Sequence, residues 1–298
     1  MNLIKRLWEL PPQEVFLKIR KKLARRSGFD VDEILSSPKL MRAQRFQDFL
    51  SRYEAILSRT RGWTPIDFKD KTVIELGCGP MMGFGPIAIF RGAKAYVGIE
   101  PGTGTQALGS EELLETYYKG VYRDLKGIYG TERSFEDFKH DMREKISVIS
   151  RPLMEVEMEK YADILISNSC LEHIAPFEQS IRALKKFCKP DCRLLNLVDF
   201  GSHRAGRSPF DNLYVGTRDD YLEKFGQHVN LMRGPDMIKA FHDAGFDVDL
   251  VPYTEMRDSY SGPVHDYWSS RFSEQELFLK TGILFGPASK FPKQSNVD

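Results

Sequence analysis

The chain has 298 residues, 41% of them hydrophobic and 29% charged, and a formal net charge of +1. That length admits one large α/β domain with an extra segment, or two small domains. The near-zero charge supplies no overall field for nucleic acid, and no run approaches the ~20 apolar residues of a membrane span.

The N-terminal stretch is interrupted by Lys5, Arg6 and Glu9 and followed by Pro11 and Pro12, which does not read as a secretory signal. Cys78, Cys170, Cys188 and Cys192 contain no C-x-x-C pair. A zinc or disulfide framework is therefore poorly supported, and a reducing cytoplasm fits better.

Residues 1–30 are locally basic. Lys18, Arg20, Lys21, Lys22, Arg25 and Arg26 interleave with Val15, Ile19 and Leu23, which share one helical face. This amphipathic helix has two readings: a solvated basic face on a packed helix, or contact of residues 12–26 with an anionic membrane surface or a polyanionic partner. After the break at Ser36-Ser37-Pro38, a second helix is expected from about Lys39 to Ser58. Phe46, Phe49, Leu50, Tyr53 and Ile56 form its apolar stripe.

From Lys71 strands alternate with helices. Strands are expected at Thr72 to Leu76, Ala95 to Glu100, Ile146 to Ser150, Ala162 to Ser167 and Arg193 to Phe200. Helices are expected at Pro86 to Arg91 and Glu178 to Cys188. That alternation implies a parallel sheet with right-handed crossovers. A helix at Pro235 to Ala244 leads to strands at Phe246 to Tyr253 and Leu277 to Phe285. With no helical pattern between them, these last two read as an antiparallel hairpin at one edge. Two insertions, 101–145 (largely helical) and 201–234 (rich in Gly, Ser, Arg, Asn and aromatics), follow strand ends, where open α/β sheets bind ligands. The domain division is 1–70, an N-terminal helical segment, and 71–290, the sheet domain.

Three motifs carry chemistry. Glu75-Leu-Gly77-Cys78-Gly79-Pro80-Met-Met82-Gly83 follows the first strand. Its glycines allow a tight turn and close approach of a ligand to the backbone, and the next helix aims N–H groups at the site. A dinucleotide fingerprint needs glycine where Met82 stands, which disfavours a nicotinamide enzyme. Glu100 lies 23 positions after Gly77, at the end of the second strand, where a carboxylate can bind both ribose hydroxyls. The third motif is Asn168-Ser169-Cys170-Leu171-Glu172-His173, a strand that ends in polar residues and turns into a helix.

These three motifs resemble the class I S-adenosylmethionine-dependent methyltransferases, notably the group with a "LEH" box after the fourth strand. The resemblance spans about residues 71–199, and the hairpin extends it to about 286. It implies a Rossmann-like α/β fold with a seven-stranded sheet, mostly parallel with an antiparallel last strand, and S-adenosyl-L-methionine as cofactor. It implies that Glu75, Gly77, Cys78, Gly79 and Gly83 enclose the methionine part, and that Glu100 and Pro101 meet the ribose. Arg151, Pro152 and Leu153 fall at the adenine, and Asn168 and Ser169 form the wall between cofactor and acceptor.

Methyl transfer is an in-line displacement at a sulfonium, and a hydroxyl acceptor benefits from a base. His173, Asp199 and His203 are the candidates, converging above the carboxyl edge of the sheet. His173 could instead orient its helix, and His203 could be an exposed loop residue. Their spacing matches no strong metal signature, so no metal is expected. Asn212, Tyr214, Asn230 and Arg233 are candidate acceptor contacts or ordinary loop residues.

The basic leader is similar to leader segments of bacterial surface-polysaccharide enzymes. That suggests O-methylation of a sugar or other small molecule, in the cytoplasm or peripherally at the inner membrane, with no nucleic-acid partner. Arg204, Arg207, Arg218 and Arg233 would suit an anionic or nucleotide-linked sugar. The alternatives are methylation of a natural product or other metabolite, and a non-catalytic cofactor-binding module.

Overall fold

The computed structural model describes residues 30–60, 63–204 and 206–287. The basic helix expected within 1–30 lies outside the described residues. Seven strands form one sheet: β1 Thr72–Leu76, β2 Ala95–Ile99, β3 Ile146–Ile149, β4 Ala162–Asn168, β5 Cys188–Asp199, β6 Asp249–Glu255 and β7 Leu279–Gly286. Their order is β3-β2-β1-β4-β5-β7-β6. β1 to β5 pair in parallel, while β7 runs antiparallel to both β5 and β6. This is the mixed Rossmann-like sheet expected from the sequence, with β7 inserted beside β5 and β6 at the edge.

β1 is buried along its whole length, as befits a strand covered on both faces. One face carries α2 (Arg45–Leu57), α3 (Gly85–Phe90), α4 (Lys119–Tyr129) and α5 (Phe135–Lys145). Their apolar residues form a core with Ile164, Ile166 and Leu195. The other face carries α6 (Phe177–Phe187) and α8 (Gly234–Asp243), packed on Leu165, Leu194 and Val198.

α1 (Val31–Leu35) and α2 make up the described part of the N-terminal segment. α2 buries Leu50, Tyr53 and Leu57 completely, and its Phe46 packs edge-on against Phe84 with ring centroids 5.2 Å apart. Each such leucine contributes roughly 1.5–3 kcal/mol by leaving water. α2 starts at Arg45, six residues after the expected Lys39, because residues 39–44 form turns and bends.

Insertion 101–145 is helical, as expected. It includes a π-turn at Leu114–Tyr118 that feeds directly into α4 and buries Tyr117 and Tyr118. The β6–β7 connection differs from expectation. It holds a 3-10 turn at Arg257–Ser259 and helical turns at Asp266–Ser269 and Glu274–Leu277. Each is one turn long, too short to print a helical period, and the last two are capped by His265 and Ser273.

These turns cover a third, aromatic core with Phe210, Tyr214, Tyr260, Trp268 and Phe278, and α7 (Arg218–Phe225) closes it through Tyr221. Among the described residues no helix is long and apolar enough to cross a membrane.

Candidate active site

The turn after β1 relies on left-handed backbone at Gly77, Met82 and Gly83, with φ of 70°, 59° and 46°. A Cβ on Gly83 would stand 2.1 Å from Glu75 Oε1, so only glycine fits there. Glu75 is wholly buried. Its Oε2 accepts from the Phe84 N–H and the Tyr96 hydroxyl, both at 2.7 Å. Burial pushes its carboxyl up to about 8 in spite of those two bonds. The Cys78 thiol is buried against Gly98. What this turn offers to a ligand is therefore backbone.

Two cavities meet at Gly77. The larger, about 420 Å³, lies over the carboxyl ends of β1, β2 and β4 and is lined by Glu100, Pro101, Pro152, Leu153, Ser169 and His173. The smaller, about 260 Å³, lies between Gly79, Pro80 and Met81 of the turn and Lys39, Arg45 and Asn168. Glu100 lines the larger cavity and is tied to the turn that lines the smaller. Its Oε2 accepts from Gly79 N–H at 3.2 Å and its Oε1 from Gly102 N–H at 3.1 Å. Asn168 accepts a hydrogen bond from Tyr53 of α2, which fixes its amide at the inner wall.

Beyond that wall, the ends of β4 and β5 bring four side chains together. The His173 and His203 rings have centroids 4.8 Å apart. His203 Nε2 lies 3.3 Å from Asp199 Oδ1 and 3.8 Å from Glu172 Oε1. Asp199 also accepts from the Gly201 N–H at 2.8 Å and from Lys280. Burial opposes its charge, but the bonds from His203 and Lys280 win and hold its carboxyl well below the usual range. Glu172 is 3% exposed, and neither of its carboxylate oxygens has a hydrogen-bond partner. Burial, reinforced by the Asp199 charge, pushes it up to about 8.

Insertion 201–234 braces this cluster. The Asn230 amide donates to Leu171 O at 2.8 Å and Ile174 O at 3.1 Å, and its backbone N–H bonds Glu172 O at 2.7 Å. His173 Nδ1 lies 2.6 Å from the His228 carbonyl, and His228 Nε2 lies 3.2 Å from Ser202 O. A carbonyl only accepts, so Nδ1 of His173 carries a proton and Nε2 is the nitrogen left free in the neutral ring.

The family model for a methyltransferase domain matches residues 41–251. The chain belongs to that methyltransferase family.

No curated relative matches this methyltransferase. Solved structures similar to it include an S-adenosylmethionine-dependent methyltransferase from Mesorhizobium loti, 14% identical over 74% of this chain and 91% of that one, with a TM-score of 0.43. Another is a putative S-adenosylmethionine-dependent methyltransferase from Listeria monocytogenes, 14% identical over 79% and 96%, with a TM-score of 0.41. A third is phosphoethanolamine N-methyltransferase 2 from Haemonchus contortus, 16% identical over 74% and 45%, with a TM-score of 0.40.

Several expected roles need correction. Glu75 clamps the glycine turn from below and does not face either cavity. Arg151 is exposed and opens onto a separate cleft with Ser150 and Glu155, so it is not with Pro152 and Leu153 in the larger cavity. Tyr214 is fully buried at the centre of the aromatic core and donates to Leu277 O. Arg233, 1% exposed, donates to the Tyr214 hydroxyl at 3.0 Å and to Phe200 O at 2.6 Å. Both are committed to packing and closed to an acceptor. Asn230 is equally committed to its backbone bonds. Asn212 is exposed in a left-handed turn and lines neither cavity.

Four contributors went unassigned in the sequence. Glu172 lay inside the quoted LEH box, yet nothing in one dimension marks an acid as unpaired. Lys280 reaches Asp199 only through the β5–β7 register, which pairs Asp199 with Thr281. Lys39 and Arg45 reach the smaller cavity because α2 docks over the turn.

The Glu75 clamp makes a pH prediction. Its folded-state carboxyl is raised from 4.5 to about 8, so the stability it supports is complete below 4.5 and is lost as pH rises toward 8. In Glu75→Gln the amide oxygen can accept both bonds without a charge to lose. Denaturant unfolding at about pH 5.5 and about pH 7.5 should show the variant gaining on the parent by up to about 1.4 kcal/mol per pH unit. Parallel profiles would contradict the clamp.

Proposed function

We propose that this methyltransferase moves the methyl group of S-adenosylmethionine to a hydroxyl of a small molecule or sugar. The observation that carries the reading is the position of Glu100. Its carboxylate lines the larger cavity and accepts from Gly79 N–H, which lines the smaller one, with Ser169, Cys170 and His173 also lining the larger.

The nucleoside occupies the larger cavity. Glu100 accepts from the ribose hydroxyls, and Pro152 and Leu153 face the adenine. The methionine part follows the backbone of Gly77 to Gly79 into the smaller cavity, whose cations Lys39 and Arg45 suit its carboxylate. Asn168 and Ser169 separate it from the acceptor. The cofactor supplies the electrophile, and the chain's residues align the acceptor oxygen with the S–CH3 bond. Such alignment lowers a barrier by about 7–11 kcal/mol at the upper limit.

A hydroxyl must lose its proton for the transfer. The His173–His203–Asp199 cluster is the place where it does so, and that chemistry favours oxygen as the methylated atom. The sugar assignment rests on the similarity of the leader to those of bacterial surface-polysaccharide enzymes. Arg204, Arg207 and Arg218 in the insertion also suit an anionic or nucleotide-linked sugar, while Arg233 is withdrawn from that set by its burial. In this reading the enzyme works in the cytoplasm at the inner face of the membrane, drawn there by the basic residues of 12–26.

Glu100→Ala should weaken binding of S-adenosylmethionine by at least about tenfold, the loss of one or two hydrogen bonds to a charged acceptor. Calorimetry reads this directly, and unchanged affinity removes the ribose assignment. His203→Ala should cut transfer of radiolabelled methyl to a panel of monosaccharides and nucleotide-linked sugars by about 10²-fold or more, with cofactor affinity within about twofold. Full activity in that variant contradicts the proposed cluster.

A further inference from the structure

The LEH turn leaves one buried carboxylate without a hydrogen bond. Glu172 is 97% shielded from solvent by its 3% exposure, and both of its oxygens lack a hydrogen bond. The neighbouring acid does not share this problem, since Asp199 is neutralised by Lys280. A buried carboxylate that accepts no hydrogen bond is costly, and the nearest group able to carry a positive charge, His203 Nε2, stands 3.8 Å away.

Two imidazoles face this carboxylate. One ligand atom from each of Glu172, His173 and His203 lies within 4.8 Å of the others. One of the two rings is also held from behind. His173 gives its Nδ1 to the His228 carbonyl at 2.6 Å, which leaves Nε2 with a free lone pair. His203 turns its Nε2 toward both acids, 3.3 Å from Asp199 Oδ1 and 3.8 Å from Glu172 Oε1, so this nitrogen exchanges its Asp199 contact for the ion. An imidazole oriented through its other nitrogen by a carbonyl, as His173 is, has the supporting contact that metal-binding histidines use.

We propose that Glu172, His173 and His203 form a binding site for one divalent transition-metal ion of the Zn²⁺ class. Two nitrogens and one carboxylate oxygen are a donor set such ions accept, and three protein ligands leave a coordination position open. Ligand atoms around a tetrahedral ion sit roughly 3.4 Å apart, so the cage closes by about 1 Å of side-chain rotation.

This inference rests on the methyltransferase reading for its role. The open position faces the acceptor side of the wall, where it would take the acceptor hydroxyl. The bound hydroxyl gives its proton to solvent water, its oxygen lone pair forms the new O–CH3 bond, and the S–CH3 electron pair stays on sulfur as the neutral thioether. The ion replaces a free imidazole as the group that makes the hydroxyl acidic.

The test uses the full chain, stripped of metal by a chelator and titrated with Co²⁺ as the spectroscopic stand-in for Zn²⁺. One Co²⁺ per chain should bind, with visible d–d bands and no thiolate charge-transfer band. Glu172→Gln and His203→Ala should each weaken that binding by at least about tenfold while holding S-adenosylhomocysteine within about twofold of the parent, which shows that the variants are folded. No bound Co²⁺, equal affinity in both variants, or a thiolate band would overturn the site. Retained S-adenosylhomocysteine binding without Co²⁺ sinks the ion alone, and loss of S-adenosylhomocysteine binding by the parent sinks the methyltransferase reading instead.

Discussion

The pairing of β1 with β4 is the constraint on which the site depends. These neighbours are parallel, yet the chain leaves them toward opposite faces of the sheet: β1 into α3, β4 into the LEH turn and then α6. Diverging connections open a crevice at their carboxyl ends, and a ligand can lie in it against backbone. The crevice keeps its shape only if the turn after β1 holds a left-handed path. Glu75 secures that path from beneath, bonded to Phe84 and Tyr96 inside a wholly apolar setting. Its buried carboxyl trades some pH tolerance for a rigid turn, which suits a fold whose chemistry lies in alignment.

The two flanking segments do different work. α2 and the turns before it roof the smaller cavity and supply its cations, and Tyr53 fixes Asn168 from above. Insertion 201–234 is a scaffold more than a lid. Its aromatic core, cemented by Arg233 and Tyr214, sets the position of Asn230 and His228, and these hold the LEH turn by its carbonyls and ring. The cluster of Glu172, His173, Asp199 and His203 is thus assembled from two strand ends and braced by a third segment.

The sequence carried the sheet well, because strand and helix patterns and their glycine and proline punctuation are local signals. The placement of the Gly77–Gly83 turn, Glu100, His173 and His203 at one sheet edge was legible for the same reason: each follows a strand end, and strand ends share that edge. Burial was not legible. Tyr214 and Arg233 have the composition of a binding loop, and only the packing of Phe210, Trp268 and Phe278 around them shows that they are core. Glu75 was misread because a motif acid can serve the ligand or the turn, and the choice depends on the Tyr96 hydroxyl from the next strand. Glu172, Lys280 and Arg45 depend on contacts across long stretches of chain, which no spacing rule reports.

The most direct test of the whole account is a crystal structure of the full chain with S-adenosylhomocysteine. In that structure the adenine should lie against Pro152 and Leu153, both ribose hydroxyls on Glu100, and the thioether sulfur beside Asn168 and directed at the His173–His203 cluster. A nucleoside outside the larger cavity, or a sulfur turned away from that cluster, would contradict it.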